Sequence, residues 1–300
     1  MAQSFVSVII PTYKREQVLL ETIEHILRLE PSPAEIIVID QTREHDPRTS
    51  AALTDLVENK KILWLRIPYP SIPHAMNAGL QKAQSNIVLF LDDDIIPDDN
   101  LIAAHLAAHE KDNCNIVAGQ VLQRNEEPLE SVDGDREFRF FSSKSRFISE
   151  LMAGNFSIKR NLALTLGGFD ENFVHVAYRF EAEFADRAVA SGERIFFEPG
   201  ASIRHLKVKE GGTRSYGHHL TTIKPSHSVG AYYYLFRSPL VTNRSLKSMA
   251  RAFRAVTTKH HLYHPWWIIP TLISELLGFV WALALNIRGQ RFINLKKDTR

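Results

Sequence analysis

Short, nearly unbroken apolar runs alternate with helically spaced ones from Phe5 to Leu91. Phe5–Ile10 is a β-branched run ended by Pro11 and Thr12. Glu35–Asp40, Ile62–Ile67 and Ile87–Leu91 repeat the pattern at strand length. Arg15–Leu29 instead places apolar residues at Val18, Leu19, Ile23, Ile26 and Leu27, the spacing of one helix face. Further helices are predicted near Thr49–Asn59 and over His74–Ala83. The stretch PYPSIP before the latter is too proline-rich for regular structure. Strands that are apolar on both faces and alternate with helices argue a parallel sheet covered on both sides.

Beyond Leu91 the rhythm loosens. Asn100–His109 reads as a helix and Asn115–Leu122 as a strand. The polar span Gln123–Ser145 reads as a long loop on the acceptor side or a mobile element. Ala153–Arg160 is a strand entering a turn, and Asn161–Leu166 a short helix stopped by Gly167 and Gly168. Phe180–Ser191 is a helix ended by Gly192. Two short strands, RIFFE and SIRHL, flank Pro199 and Gly200. No internal repeat is present.

The C-terminal quarter changes character. Ser226–Leu240 carries the aromatic cluster AYYYLF. Leu246, Met249, Ala250, Phe253 and Val256 then form an apolar stripe alongside Arg244, Lys247, Arg251 and Arg254. That is a basic amphipathic helix of the kind that lies on membranes. Trp266–Ile287 is mostly apolar and close to the ~20 residues a span needs. It contains Pro270, Glu275 and Asn286, however, and a carboxylate makes a clean span expensive. The expectation is a peripheral, interface-bound tail. A single span, or a tail packed back on the body, are the alternatives.

Charge sharpens that division. Asn243–Arg300 holds ten Lys and Arg against two acids, a balance of +8, which leaves −6 for residues 1–242 of a chain with net charge +2. A basic tail on an acidic body suggests an anionic surface as partner. We therefore expect two units, a catalytic domain over residues 1–225 and a helical extension over 226–300, possibilities that the length of 300 residues accommodates. One cysteine, Cys114, excludes an intramolecular disulfide framework and a cysteine zinc site. The N-terminus has neither a basic leader nor a long apolar core, so no signal peptide is expected.

Candidate chemistry lies at strand ends. Ile87–Leu91 runs into Asp92, Asp93 and Asp94, and Glu35–Asp40 also ends in a carboxylate. Adjacent carboxylates repel, and a divalent metal is the usual remedy; a solvated acidic turn is the plain alternative. Carboxyl ends of strands are where open α/β sheets gather ligands. No GxGxxG or Walker-type loop follows any strand, so a nucleotide held here would need a metal for its phosphates.

The motifs VSVIIPTYKR, EIIVIDQT, AMNAGL, LFLDDDIIP, GNFSIKR, GGFDENF, FEAEFADRAVASG and PGASIRH occur in this order over roughly residues 5–210. Together they resemble the family-2 glycosyltransferases. The resemblance implies an α/β fold of the GT-A nucleotide-diphospho-sugar transferase type, mainly parallel in its central sheet and flanked by helices, with the helical extension added. It implies inverting transfer of a sugar, one at a time, from a nucleotide-sugar donor to a hydroxyl of a glycan or lipid-linked acceptor. The Gln-x-x-Arg-Trp element and multiple spans of the family's processive polymerases are missing.

Carried over by position, Pro11, Thr12 and Arg15 correspond to the first nucleotide-contacting turn and Asp40 to the carboxylate that meets the base. Asp92 and Asp93 correspond to the donor side of the Asp-x-Asp element. Asp94, with Asp92 and His205, would hold Mg²⁺ or Mn²⁺. Gly154 and Asn155 resemble the turn beneath the acceptor. Glu181 aligns with the general base, and Glu183 is the runner-up, because Phe180 stands where the family usually has an acid. Met76 replaces a common Arg; either His74 or Arg15 substitutes for it, or the donor binds more weakly. Gly211–His219 resembles a loop that closes over the donor, with Arg214, His218 and His219 near the diphosphate; an ordinary surface loop is the alternative. The implied location is the cytoplasmic side of a membrane, without nucleic-acid partners. A sugar-nucleotide nucleotidyltransferase and a non-catalytic scaffold of the same fold are the competing readings.

Overall fold

The computed structural model describes residues 6–111, 114–129 and 138–293. Phe5, the middle of the Gln123–Ser145 span and the last residues of the tail lie outside them. The first half follows the alternation: β1 (Val6–Thr12), α1 (Gln17–Leu27), β2 (Glu35–Asp40), α2 (Pro47–Glu58), β3 (Leu63–Arg66), α3 (Ile72–Lys82) and β4 (Ile87–Leu91). β1 pairs in parallel with β2 and β4, and β2 with β3. Thr12 and Asp40 are register partners, so β1 and β2 deliver their ends to one edge.

Two helices begin earlier than predicted. Asp46 accepts from the Thr49 amide at 2.9 Å, which starts α2 at Pro47. Ser71 caps α3 in the same way, through the His74 amide. Pro73 therefore sits in the first turn, where an amide would have no helical partner and a missing one costs nothing. The proline-rich stretch ends as a helix start.

The second half adds β5 (Ile95–Pro97), α4 (Leu101–Lys111), β6 (Ile116–Gln123), β7 (Arg146–Ile148), β8 (Asn155–Lys159), α5 (Arg160–Thr165), α6 (Phe180–Ala190) and β9 (Ile195–His205). The sheet order is β3-β2-β1-β4-β8-β6-β9-β5, with β7 on β9. β8 runs antiparallel between β4 and β6, so parallel pairing dominates only the first half. RIFFE and SIRHL are one strand, not two. Gly119 of β6 faces Glu198 while the next residue, Gln120, faces Ser202, so Pro199–Ala201 bulge out of the ladder.

Alternation along each strand fills both faces. Ile9, Ile37, Phe90 and Phe156 belong to one apolar cluster; Val8, Ile10, Val38 and Leu89 belong to the other. Each such side chain, fully buried, contributes about 1.5–3 kcal/mol. These two layers make β4 a rigid base for whatever follows it.

The tail forms α7 (Ser228–Arg237), α8 (Arg244–Val256), α9 (Lys259–Tyr263) and α10 (Ile268–Arg288). Val229, Tyr232 and Tyr233 of α7 and Ala282 and Leu285 of α10 join the same cluster as Ile9 and Phe90. Tyr233 also donates to Asp170 at 2.7 Å. Gly278 lets α10 close on α7, since a Cβ there would stand 2.2 Å from Ser228 Oγ. The tail thus packs on the body through one face. Pro265–Arg288 is long and apolar enough to cross a membrane by length and composition. Its inward residues are Thr271, Ser274, Glu275, Gly278, Ala282 and Leu285. Ile269, Leu272, Leu276, Leu277, Val280 and Ile287 face outward, while Phe279 and Trp281 pack partly against the main cluster.

Candidate active site

β4 stops at Leu91, and the chain turns back into β5, which pairs with the end of β9. Ile95 and His205 are register partners. This return places His205 over the aspartates. Its Nε2 lies 3.0 Å from Asp94 Oδ1 and 3.9 Å from Asp92 Oδ2. One ligand atom from each of Asp92, Asp94 and His205 lies within 4.8 Å of the others. Two carboxylates and an imidazole converging this tightly fit a divalent cation. Burial pushes the Asp94 carboxyl up, but the hydrogen bond and charge of His205, with Arg15 and the Val208 amide, prevail and hold it below its ordinary value.

Arg15 braces this turn. Its guanidinium donates to Asp93 Oδ1 and Asp94 Oδ2, each at 3.2 Å, and to the carbonyls of Val208 and Glu210. Four of its five N–H donors are thus used within the protein. Asp93 is buried beneath the turn, and desolvation pushes it up to about 7 against the pull of Arg15. Thr22 of α1 donates to Asp93 or Ile95 carbonyl oxygens and accepts from the Ile95 amide, pinning the turn from below.

Gly154 explains itself by closeness. A Cβ there would stand 2.2 Å from Asp92 Oδ2, and the Asp92 amide donates to the Gly154 carbonyl at 3.2 Å. Asn155, its neighbour, points the other way. Its Nδ2 donates to Gln120 and Ala201 carbonyls at 2.9 and 2.8 Å, and its Oδ1 meets His105 Nε2 at 3.0 Å. It is fully buried against the β9 bulge, with these side-chain bonds made within the protein.

Asp40 is likewise sealed. Oδ1 accepts from the Thr42 amide at 2.8 Å, and Oδ2 meets His45 Nε2 at 2.8 Å and Trp64 Nε1 at 3.0 Å. With no exposed surface, it anchors the β2 end. No pattern in the sequence marks His45 and Trp64 as its partners. Thr12 is buried, its carbonyl held by the Gln41 amide and side chain at 3.0 Å each, while Pro11 is half-buried.

The two glutamates of α6 separate clearly. Glu183 is fully buried and makes a two-pronged pair with Arg187, at 2.7 and 3.0 Å. Glu181 lies at the helix start, one residue after the Phe180 that packs edge-on to Phe169 at 5.7 Å. Desolvation pushes Glu181 up to about 7 and the negative charge of Asp92 adds to this, against its own amide and Arg179. Asp92 is therefore near enough for its charge to act on the Glu181 carboxyl. A carboxyl near 7 is poised to exchange protons at neutral pH. Phe180 and Met76, the two departures from the family pattern, are both core residues.

The Gly211–His219 stretch is pinned at its start. Gly211, at φ +73°, has its α-carbon against the Lys14 carbonyl, and the Gly212 amide donates to the Tyr13 carbonyl at 2.8 Å. His218 and His219 stack at 4.6 Å, and His219 faces a basic cavity beside α7. His74 is paired with Glu171 at 3.0 Å.

A sheet of this order, with acidic residues and a histidine at its carboxyl edge, defines a nucleotide-diphospho-sugar transferase of the GT-A type. Residues 7–183 match the model of Glycosyl transferase family 2. The match spans more than half of the chain, and the chain belongs to that family and is a glycosyltransferase. Solved structures share the fold at low identity. GalNAc-T7 with UDP, GalNAc and Mn²⁺ aligns at TM-score 0.61 and 16% identity, over 78% of this chain and 48% of that one, so this chain spans about half its length. The mannosyltransferase PcManGT from Pyrobaculum calidifontis, in complex with GDP-Man and Mn²⁺, aligns at 0.54 and 16% over 96% and 75%. S. aureus TarS aligns at 0.58 and 15% over 94% and 82%. No curated protein sequence matches the chain.

Proposed function

We propose that the chain is an inverting, metal-dependent glycosyltransferase that makes single transfers from a nucleotide-diphospho-sugar to a hydroxyl of a glycan or lipid-linked acceptor. The observation that supports this reading is the convergence of ligand atoms from Asp92, Asp94 and His205 within 4.8 Å, with the charge of Asp92 acting on Glu181. The aspartates and the histidine would hold Mg²⁺ or Mn²⁺, as the Mn²⁺ in two of the similar structures suggests. Such a cation supplies charge stabilisation for the departing diphosphate.

Glu181 serves the other side. A sugar hydroxyl attacks poorly until its proton is removed. Glu181 accepts that proton, the hydroxyl oxygen bonds to the anomeric carbon from the face opposite the diphosphate, and the configuration inverts. Arg15 and Gly154 position the aspartates without touching substrate. Residues 1–225 carry this chemistry and 226–300 support it.

The test is a panel of UDP-, GDP- and dTDP-sugars assayed for binding and hydrolysis with and without Mn²⁺. Metal-dependent nucleotide binding, weakened by Asp94→Asn, supports the reading. Binding that ignores the metal overturns its metal dependence, and absence of any nucleotide binding overturns the function. Transfer with retained anomeric configuration overturns inversion.

A further inference from the structure

Behind the α6 start lies a cavity of about 670 Å³ between α7, α8 and α10. Arg179, Lys224, Lys247, Arg251 and Arg254 line it, with Glu275 as the carboxylate among the lining residues. Glu275 is already matched by Arg251 at 3.1 Å. The remaining cations face the same space with no acid of their own in the lining. His227 and His219 share the wall. Burial and their cationic neighbours push His227 down to about 4 and His219 below its ordinary value. The wall therefore resists further positive charge and favours an anion.

Arg179 connects this cavity to the reaction. It caps α6 in a left-handed conformation at φ 74°, two residues before Glu181, and its charge acts on the Glu181 carboxyl. Its guanidinium also lies 5.8 Å from the ring of Tyr234, another lining residue. An anionic group bound here would sit beside a residue two positions from Glu181.

The same helices turn an apolar surface outward. Met249 and Phe253 of α8, Leu262 of α9 and Ile269, Leu276 and Ile287 of α10 are exposed, Leu262 at 81% and Met249 at 71%. Large apolar side chains exposed on three consecutive helices point to an interaction surface. Arg244, Lys247, Arg254 and Lys259 are exposed on the same helices, and basic residues near headgroups favour an anionic lipid surface.

We propose that this basic cavity receives the phosphate or diphosphate of an amphiphilic acceptor, whose hydrocarbon chain lies in a bilayer against the outer face of α8, α9 and α10. This inference rests on the glycosyltransferase reading and narrows its acceptor to a phosphate-bearing lipid. Such an acceptor keeps its reactive hydroxyl close to its phosphate, as the position of Arg179 between cavity and Glu181 requires.

The experiment uses the full chain with its donor site saturated by UDP or GDP and Mn²⁺, whose own binding is measured first. Farnesyl diphosphate, inorganic pyrophosphate and vesicles of phosphatidylcholine with or without phosphatidylglycerol are then titrated. We expect farnesyl diphosphate to bind at least tenfold more tightly than pyrophosphate. Lys247→Ala with Arg254→Ala, both on exposed positions, should weaken it tenfold or more and leave nucleotide binding unchanged. Vesicles containing phosphatidylglycerol should bind the chain, and Met249→Gln with Phe253→Gln should abolish that binding. Equal affinity for pyrophosphate and farnesyl diphosphate overturns the amphiphile. Insensitivity to the double alanine variant overturns the cavity. A concentration-dependent dimer that buries Met249 and Phe253, without vesicle binding, overturns the bilayer. Loss of nucleotide binding in the unaltered chain counts instead against the donor reading, which these variants do not touch.

Discussion

The carboxylate of Asp92 rests on the α-carbon of Gly154, so closely that a Cβ built there would stand 2.2 Å from Oδ2 and 2.6 Å from Cγ. The obstructed atoms are the far end of a side chain, which can swing away. Gly154→Ala should therefore fold, with a Tm near that of the parent, but move Asp92 off its partners. We expect metal-dependent nucleotide affinity to fall tenfold or more, about 1.4 kcal/mol, measured by calorimetry with Mn²⁺.

Glu181 and Glu183 should separate in a pair of variants. Glu181→Gln keeps the shape of the cleft but cannot take a proton. Donor binding should persist while transfer falls by about 10²–10⁴. Glu183→Gln breaks the buried pair with Arg187 and should cost about 3 kcal/mol of stability. Thermal unfolding and single-turnover transfer, measured on both, check the assignment. Full transfer in Glu181→Gln would move the base elsewhere.

Glu181 also sets a pH dependence. Its folded value is raised from 4.5 to about 7, so the folded state holds the proton more tightly than the unfolded chain. Its contribution is most favourable below the unfolded value and is lost as pH rises through about 7. Glu181→Gln should thus gain stability at pH 8 relative to pH 5, on the order of 1–2 kcal/mol. Activity runs in the opposite sense, because the base must be deprotonated. The transfer rate should climb through about pH 7 and then level, as a pH profile of kcat/KM would show.

Arg15 holds two aspartates and two carbonyls at once. Arg15→Lys keeps the charge but not the planar fork. It should loosen the Val208–Gly212 segment and weaken metal-dependent binding at the same time. Faster proteolysis of that segment, together with reduced Mn²⁺ affinity, is the expected pairing.

Cutting the chain after residue 225 removes Val229, Tyr232 and Tyr233 from the main apolar cluster and the hydroxyl that Asp170 accepts. The shortened chain should lose cooperative unfolding or precipitate. Circular dichroism of the truncated product, compared with the full chain, tests whether 1–225 stands as a unit by itself.

The division between legible and hidden follows from range. The apolar runs at Val6–Ile10, Ile36–Ile39 and Val88–Leu91 announced the buried strands, because a strand covered on both faces needs apolar residues at successive positions. The aspartates after Leu91 announced a site, since three like charges in a row need compensation from somewhere. Helix starts at Pro47 and Ile72 were obscured by prolines, whose effect reverses between the interior and the first turn of a helix.

Other assignments depended on partners distant in the chain. Asp40 and Asn155 carry polar groups in motif positions, yet their orientation is set by Trp64 and His45 in one case and by the β9 bulge in the other. Glu181 and Glu183 are two residues apart, and sequence spacing cannot say which faces a cleft and which faces Arg187. The sequence by itself determined the strand–helix alternation, the acidic strand ends and the basic, apolar tail, because each is a local pattern. Only the tertiary structure decided that Glu183 is buried against Arg187, and that the tail docks Tyr232, Tyr233 and Leu285 on the body while leaving Met249, Phe253 and Leu276 exposed. Those outcomes depend on side chains that meet only when the sheet closes.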